Sequence, residues 1–156
     1  MNLRSYFTPV WFWALTIGLF AGNASAVLAG EAKFEAQLVW ATNDEPAPGD
    51  NHKPVDEETQ KKLDSLECLK WKHFYLVNKQ DFEVAKGESE KVVMSDKCSI
   101  QVKHLDGKRV EFILFGKKGE ECSKRVQSLT KGETMVHGGK VEGKTSAWLI
   151  TLKRVK

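Results

Sequence analysis

Gly138-Gly139-Lys140-Val141-Glu142-Gly143-Lys144-Thr145 matches the phosphate-loop pattern G-x-x-x-x-G-K-[ST] letter for letter. Such a loop works because its amides converge at the start of a helix that follows a parallel strand, with the Ser or Thr hydroxyl on magnesium. Here Thr145–Val155 alternates Thr145, Ala147, Leu149 and Thr151 against Ser146, Trp148, Ile150 and Leu152, which is the period of a strand. The match is therefore read as a Gly- and Lys-rich hairpin loop, and no nucleotide or other cofactor is expected.

The remaining candidates for chemistry are scattered. Cys68, Cys98 and Cys122 lack a neighbouring base that would turn one of them into a nucleophile, and their number is odd. Free thiols acting as small apolar side chains are the expectation, with a bridge from Cys68 to Cys98 or Cys122 left open. His52, His73, His104 and His137 show no i, i+4 pair and no Cys-x-x-Cys accompanies them, so no metal site is expected. His104 is expected at an exposed hairpin end opposite Lys108, and His137 in a loop. Asp44, Glu45 and Asp50 lack calcium-loop spacing. Asp81 and Glu83, at i, i+2 on one strand face, are the carboxylates a hydrolase would use, although solvent-facing strands commonly carry such pairs. Trp71-Lys72-His73-Phe74-Tyr75 is the densest aromatic and basic cluster. Trp71, His73 and Tyr75 on one strand face could stack on a sugar ring of a glycan or contact a partner. The competing reading is a strand buried between the helix and another sheet, with Phe74 and Leu76 on its other face.

These residues must be positioned by two unequal stretches of chain. Residues 1–30 carry a single charged side chain, Arg4, and every Asp and Glu lies from Glu31 onward. A short basic start, the apolar run Tyr6–Ala21 and the small-x-small sequence Ala24-Ser25-Ala26 together read as a secretory signal peptide. The run falls short of the roughly 20 residues that span a bilayer core. Cleavage after Ala26, or else Ala29, leaves about 130 residues, 27–156, with 23 basic and 21 acidic side chains. That balance gives little attraction for nucleic acid, and no membrane span remains. No Cys sits near the junction for lipid attachment.

The mature segment reads as a single β-rich domain. Lys33–Thr42 is a strand with Phe34, Leu38 and Trp40 on one face, and Asn43–Pro54 is a polar, Pro-rich surface loop. Asp56 before Glu57-Glu58 is N-cap chemistry for a helix over about 56–69, with Leu63, Leu66 and Leu69 as its apolar stripe. From Trp71 the period becomes two. Turn signals recur at Asn78-Lys79, Gly87-Glu88, Asp96-Lys97, Asp106-Gly107, Lys118-Gly119, Lys131-Gly132, Gly138-Gly139 and Gly143. An antiparallel meander follows, forming a sandwich or partly open barrel with the helix packed on it. Three-residue loops at Leu105-Asp106-Gly107 and Lys117-Lys118-Gly119 would pair Cys98 with Leu114, Ile100 with Phe112, Leu114 with Cys122 and Val110 with Val126. Cys98 and Cys122 then share a face two strand spacings apart, on the order of 10 Å, too far to bridge.

Leu69-Lys70-Trp71-Lys72-His73-Phe74-Tyr75-Leu76-Val77-Asn78, Met94-Ser95-Asp96-Lys97-Cys98, Leu129-Thr130-Lys131-Gly132-Glu133 and Thr145-Ser146-Ala147-Trp148 resemble small exported proteins of unknown function from planctomycete and verrucomicrobial bacteria. The resemblance implies a Gram-negative-type envelope setting, periplasmic or extracellular. It transfers no site residue. The resulting expectation is an exported, non-enzymatic β domain that binds an envelope protein or surface polymer. A glycan- or peptide-directed hydrolase is the alternative.

Overall fold

A computed structural model describes residues 30–46, 48–49, 51–140 and 145–156, with the backbone alone at 139 and 140. The segment expected to be a leader, with the expected cleavage positions Ala26 and Ala29, lies outside the described residues, as do Asp50 and Gly143. The chain is a β-sandwich with one helix among the described residues, and no barrel closes. The first sheet contains β1 (Ala32–Thr42), β2 (Lys53–Pro54), β3 (His73–Val84), β8 (Thr134–Lys140) and β9 (Ser146–Arg154), in the order β2-β3-β1-β9-β8. The second is a plain meander of β4 (Ser89–Val93), β5 (Ser99–His104), β6 (Arg109–Phe115) and β7 (Glu121–Ser128). All pairings are antiparallel.

Strand β1 alternates apolar residues with Lys33, Glu35 and Gln37 in its first half and is buried on both faces from Ala36 to Val39, where Leu38 and Val39 run together. Ala32, Phe34, Ala36 and Leu38 face the second sheet and pack with Val84, Ile100, Val102, Val110, Phe112, Ile150 and Leu152. Val39 and Ala41 face the opposite way, onto Val55, Leu63, Phe74 and Leu149. Helix α1 (Glu57–Asp64) covers this second face. Asp56 caps it by accepting from the Thr59 amide at 2.8 Å, as its sequence position predicts. The helix ends at the Ser65 cap, earlier than expected, and Leu66 and Leu69 continue the stripe in turns closed by Leu66 N–H to Leu63 O and Leu69 N–H to Leu66 O. Buried Gln37 ties helix to sheet, its amide donating to Asp56 at 2.8 Å, Thr59 at 3.2 Å and Glu35 at 2.7 Å.

Pairing departs from expectation in instructive ways. Asn78-Lys79 is no turn but the middle of β3, and Gly138-Gly139 belongs to β8. The β5–β6 loop is longer than three residues: Ile100 opposes Leu114, Val102 opposes Phe112 and His104 opposes Val110. Asp106 holds this loop by accepting from the Arg109 amide at 3.1 Å and from its guanidinium at 2.7 Å, which a simple glycine bulge would not do. The shift is by two residues, so the apolar face survives. His104, however, is pulled into the core at 1 % exposure, correcting its expected place at an exposed end.

At Lys117-Lys118-Gly119 the three-residue loop does form, with Gly116 N–H bonded to Glu120 O at 2.9 Å and Gly119 at φ +79°. A bulge at Cys122 then moves the register by one, so that Leu114 opposes Ser123, Phe112 opposes Arg125 and Glu111 opposes Val126. One residue of slip reverses every side chain. The expected Val110–Val126 pair is lost, and Val126 points outward at 50 % exposure.

Candidate functional site

The cross-strand register aligns Tyr75 of β3, Trp40 of β1, Trp148 of β9 and Gly139 of β8 in one row. Trp40 and Trp148 have the same strand parity as the core residues Leu38 and Ile150, so this row extends the inner face of the first sheet. Ring centroids lie 5.7 Å apart for Trp40–Tyr75 and 6.4 Å for Trp40–Trp148, with interplanar angles of 38° and 31°. His52, just before β2, stands edge-on to Trp40 at 4.9 Å and lies 5.1 Å from Tyr75. His73 continues the cluster at 6.2 Å from Tyr75, and its Nε2 lies 3.4 Å from the Glu45 carboxylate. Trp148 is 45 % exposed, whereas Phe34 and Phe112, deeper in the same gap, are sealed.

Immediately inside this aromatic shelf is a cavity of about 520 Å³ between the two sheets. Its apolar walls are Leu38, Val77, Leu114, Trp148 and Ile150; Cys98, Cys122 and Ser123 come from the second sheet, as does the Ser95-Asp96-Lys97 turn. Two bulges shape it. Val77 is the extra residue of β3 where the register with β1 shifts, and Cys122 is the extra residue of β7. Both line the cavity. A bulge bends a strand and re-aims its side chains, so the strand irregularities are concentrated where the sheets part. Asn78, beside the first bulge, donates to the Met94 carbonyl across the gap at 2.9 Å and holds the sheets together there.

Gly138 permits close approach of β8 to β9: a Cβ there would lie 2.5 Å from the Trp148 carbonyl oxygen and 2.8 Å from Leu149 Cδ2. His137, expected in a loop, lies in β8 and lines the cavity with its ring 5.2 Å from Phe112. Burial, with the charge of Arg125 adding to it, pushes its pKa below the ordinary histidine value.

Of the three aromatic residues singled out in the sequence, the structure brings His73 and Tyr75 together and separates Trp71. Trp71 packs on the helix-side cluster and lines a groove with Cys68, Leu69 and Leu149. Phe74 faces the helix as expected. Trp40, Trp148 and His52 escaped sequence reasoning as members of a site because their neighbours are supplied by pairing between distant strands; the parity of Trp40 with Leu38 was the available signal.

The other candidates remain dispersed. Cys68, Cys98 and Cys122 are free thiols. Asp81 and Glu83 face away from the inter-sheet core, and Glu83 pairs with Lys33 at 2.6 Å. Asp44 accepts from Thr145 Oγ1 at 2.7 Å. No cluster of three metal-binding side chains occurs among the described residues. Gly138–Lys140 is strand, residues 141–144 lie outside the described set, and the segment after them is β9, a strand as its alternation predicts. No described helix is long and apolar enough to cross a membrane. The chain matches no family model, and no curated protein or solved structure is similar enough to count as a match.

Proposed function

We propose that this is an exported, non-enzymatic β domain whose aromatic shelf binds an envelope protein or surface polymer. The half-open row Tyr75–Trp40–Trp148 carries the reading. Aromatic rings left accessible in line on a rigid sheet offer large apolar contact area with little ordering entropy, and their faces stack on sugar rings or on apolar and cationic side chains. The leader-like sequence of residues 1–26 and the resemblance to exported planctomycete and verrucomicrobial proteins support a periplasmic or extracellular setting. Between the two partner classes, a glycan-bearing surface polymer suits the shelf better, because stacking needs no partner-specific charge pattern.

The test is co-sedimentation of the purified protein with isolated, protein-free envelope polymer. A Trp40→Ala/Tyr75→Ala double variant is expected to lose at least tenfold in the fraction bound while retaining its near-ultraviolet circular dichroism from Trp71. Equal sedimentation of variant and parent would refute the shelf as the contact.

A further inference from the structure

The inter-sheet cavity is separate from the shelf in all but Trp148, and its charge arrangement is more specific. The slip at Cys122 gives Arg125, opposite Phe112, the inward-facing parity of β7 two residues from Ser123 of the cavity wall; its side chain is exposed and lies outside the lining itself, near enough to the lining residue His137 for its charge to act on that ring. Among the described residues, no carboxylate lies within ion-pair distance of Arg125. The neighbouring Lys124 differs: it faces outward and pairs with Glu111 at 3.0 Å. At the other rim Asp96 and Lys97 are adjacent residues of opposite charge, so among the described residues Arg125 adds a net positive charge beside the cavity.

We propose that the cavity binds a small amphipathic carboxylate, its apolar chain between the sheets and its carboxylate on Arg125. A volume of about 520 Å³ falls within the roughly 300–1,000 Å³ of pockets that enclose one small ligand. The walls offer Leu38, Leu114, Trp148 and Ile150 to the chain, and burying that chain stabilises the complex in proportion to its apolar area. A guanidinium presents parallel N–H donors matching the two oxygens of one carboxylate. His137, whose pKa burial and the charge of Arg125 lower, favours the neutral ring and keeps one N–H as a second donor on the facing sheet. A cationic ligand of equal length would face Arg125 with like charge. Asp96 is the single acid of the lining, and Lys97 already stands beside it.

The inference does not rest on polymer binding by the shelf, and Trp40→Ala is expected to leave it intact. The test is titration of the purified protein with decanoate and with decyltrimethylammonium, both below micelle formation, followed by tryptophan fluorescence and calorimetry. Saturable one-site binding of decanoate, at least tenfold tighter than the cation, is the expected result. Arg125→Glu should weaken decanoate at least tenfold. Ser123→Phe should abolish binding by filling the cavity, with circular dichroism verifying that each variant is folded. Absence of saturable binding, equal response to both amphiphiles, or an unchanged affinity in folded Arg125→Glu would each overturn the proposal.

Discussion

The two ends of the inter-sheet gap are built by the same strands and finished differently. At one end Phe34, Phe82, Val84, Phe112 and Leu129 meet in regular pairing and exclude solvent. At the other, β3 and β7 each insert an extra residue, β8 carries two glycines, and Trp40, Trp148 and Tyr75 are left half-open above a cavity. Aromatic content does not distinguish the ends. Regular pairing lets opposing side chains interdigitate to native packing density, whereas bulges turn the strands apart and leave volume unfilled. The closed end holds the fold, and the open end leaves aromatic surface accessible to solvent.

Truncation should expose this contrast most strongly. Phe112→Ala, at 0 % exposure, should lose about 3–5 kcal/mol in denaturant unfolding, since both transfer and cavity terms apply. Trp148→Ala should lose about 1–2 kcal/mol, less than half as much, because nearly half of its surface already meets water. Comparable losses would show that both ends are core. Gly138→Ala comes next, at about 1–3 kcal/mol, because the new methyl must push β8 from the Trp148 carbonyl; a neutral result would mean that β8 yields freely.

Asp56→Ala should lose about 1–2 kcal/mol of stability by removing the helix cap. Burial alone would raise the Asp56 pKa, but bonds from the Thr59 amide, Gln37 and the Thr59 hydroxyl outweigh it and hold the carboxyl at about 2. A depressed carboxyl stabilises the fold above its unfolded pKa, near 4, and the contribution fades as pH falls through about 2. The difference between parent and variant should therefore be full at pH 6 and shrink between pH 4 and pH 2 in urea titrations. His104→Leu is the smallest effect and has the opposite sign. Both ring nitrogens of His104 are buried without a hydrogen bond, so replacement should raise the urea midpoint by about 1 kcal/mol equivalent; a loss of stability would show that the imidazole is satisfied in solution.

Legibility in the sequence followed the range of the interactions. The Asp56 cap, the β1 strand and the Gly119 loop were readable because each depends on neighbours a few residues away. The candidate site was readable only in part. Alternation places His73 and Tyr75 on one face, but it does not reach Trp71, which precedes β3 and packs on the helix side instead. Trp40 and Trp148 are 108 positions apart and became neighbours only when β1 paired with β9.

By itself the sequence determined a mainly β architecture, the leader-like character of residues 1–26, the helix start and which strand faces are apolar. Tertiary structure decided the strand order, the two bulges, the burial of His104 and the exposure of the Trp148 row. The physical reason is that alternation and capping are local properties of the chain, whereas a one-residue bulge is chosen by how two whole sheets fit. At β7 that choice gave Arg125 the parity of Phe112 and turned Val126 outward into solvent, reversing the local pattern.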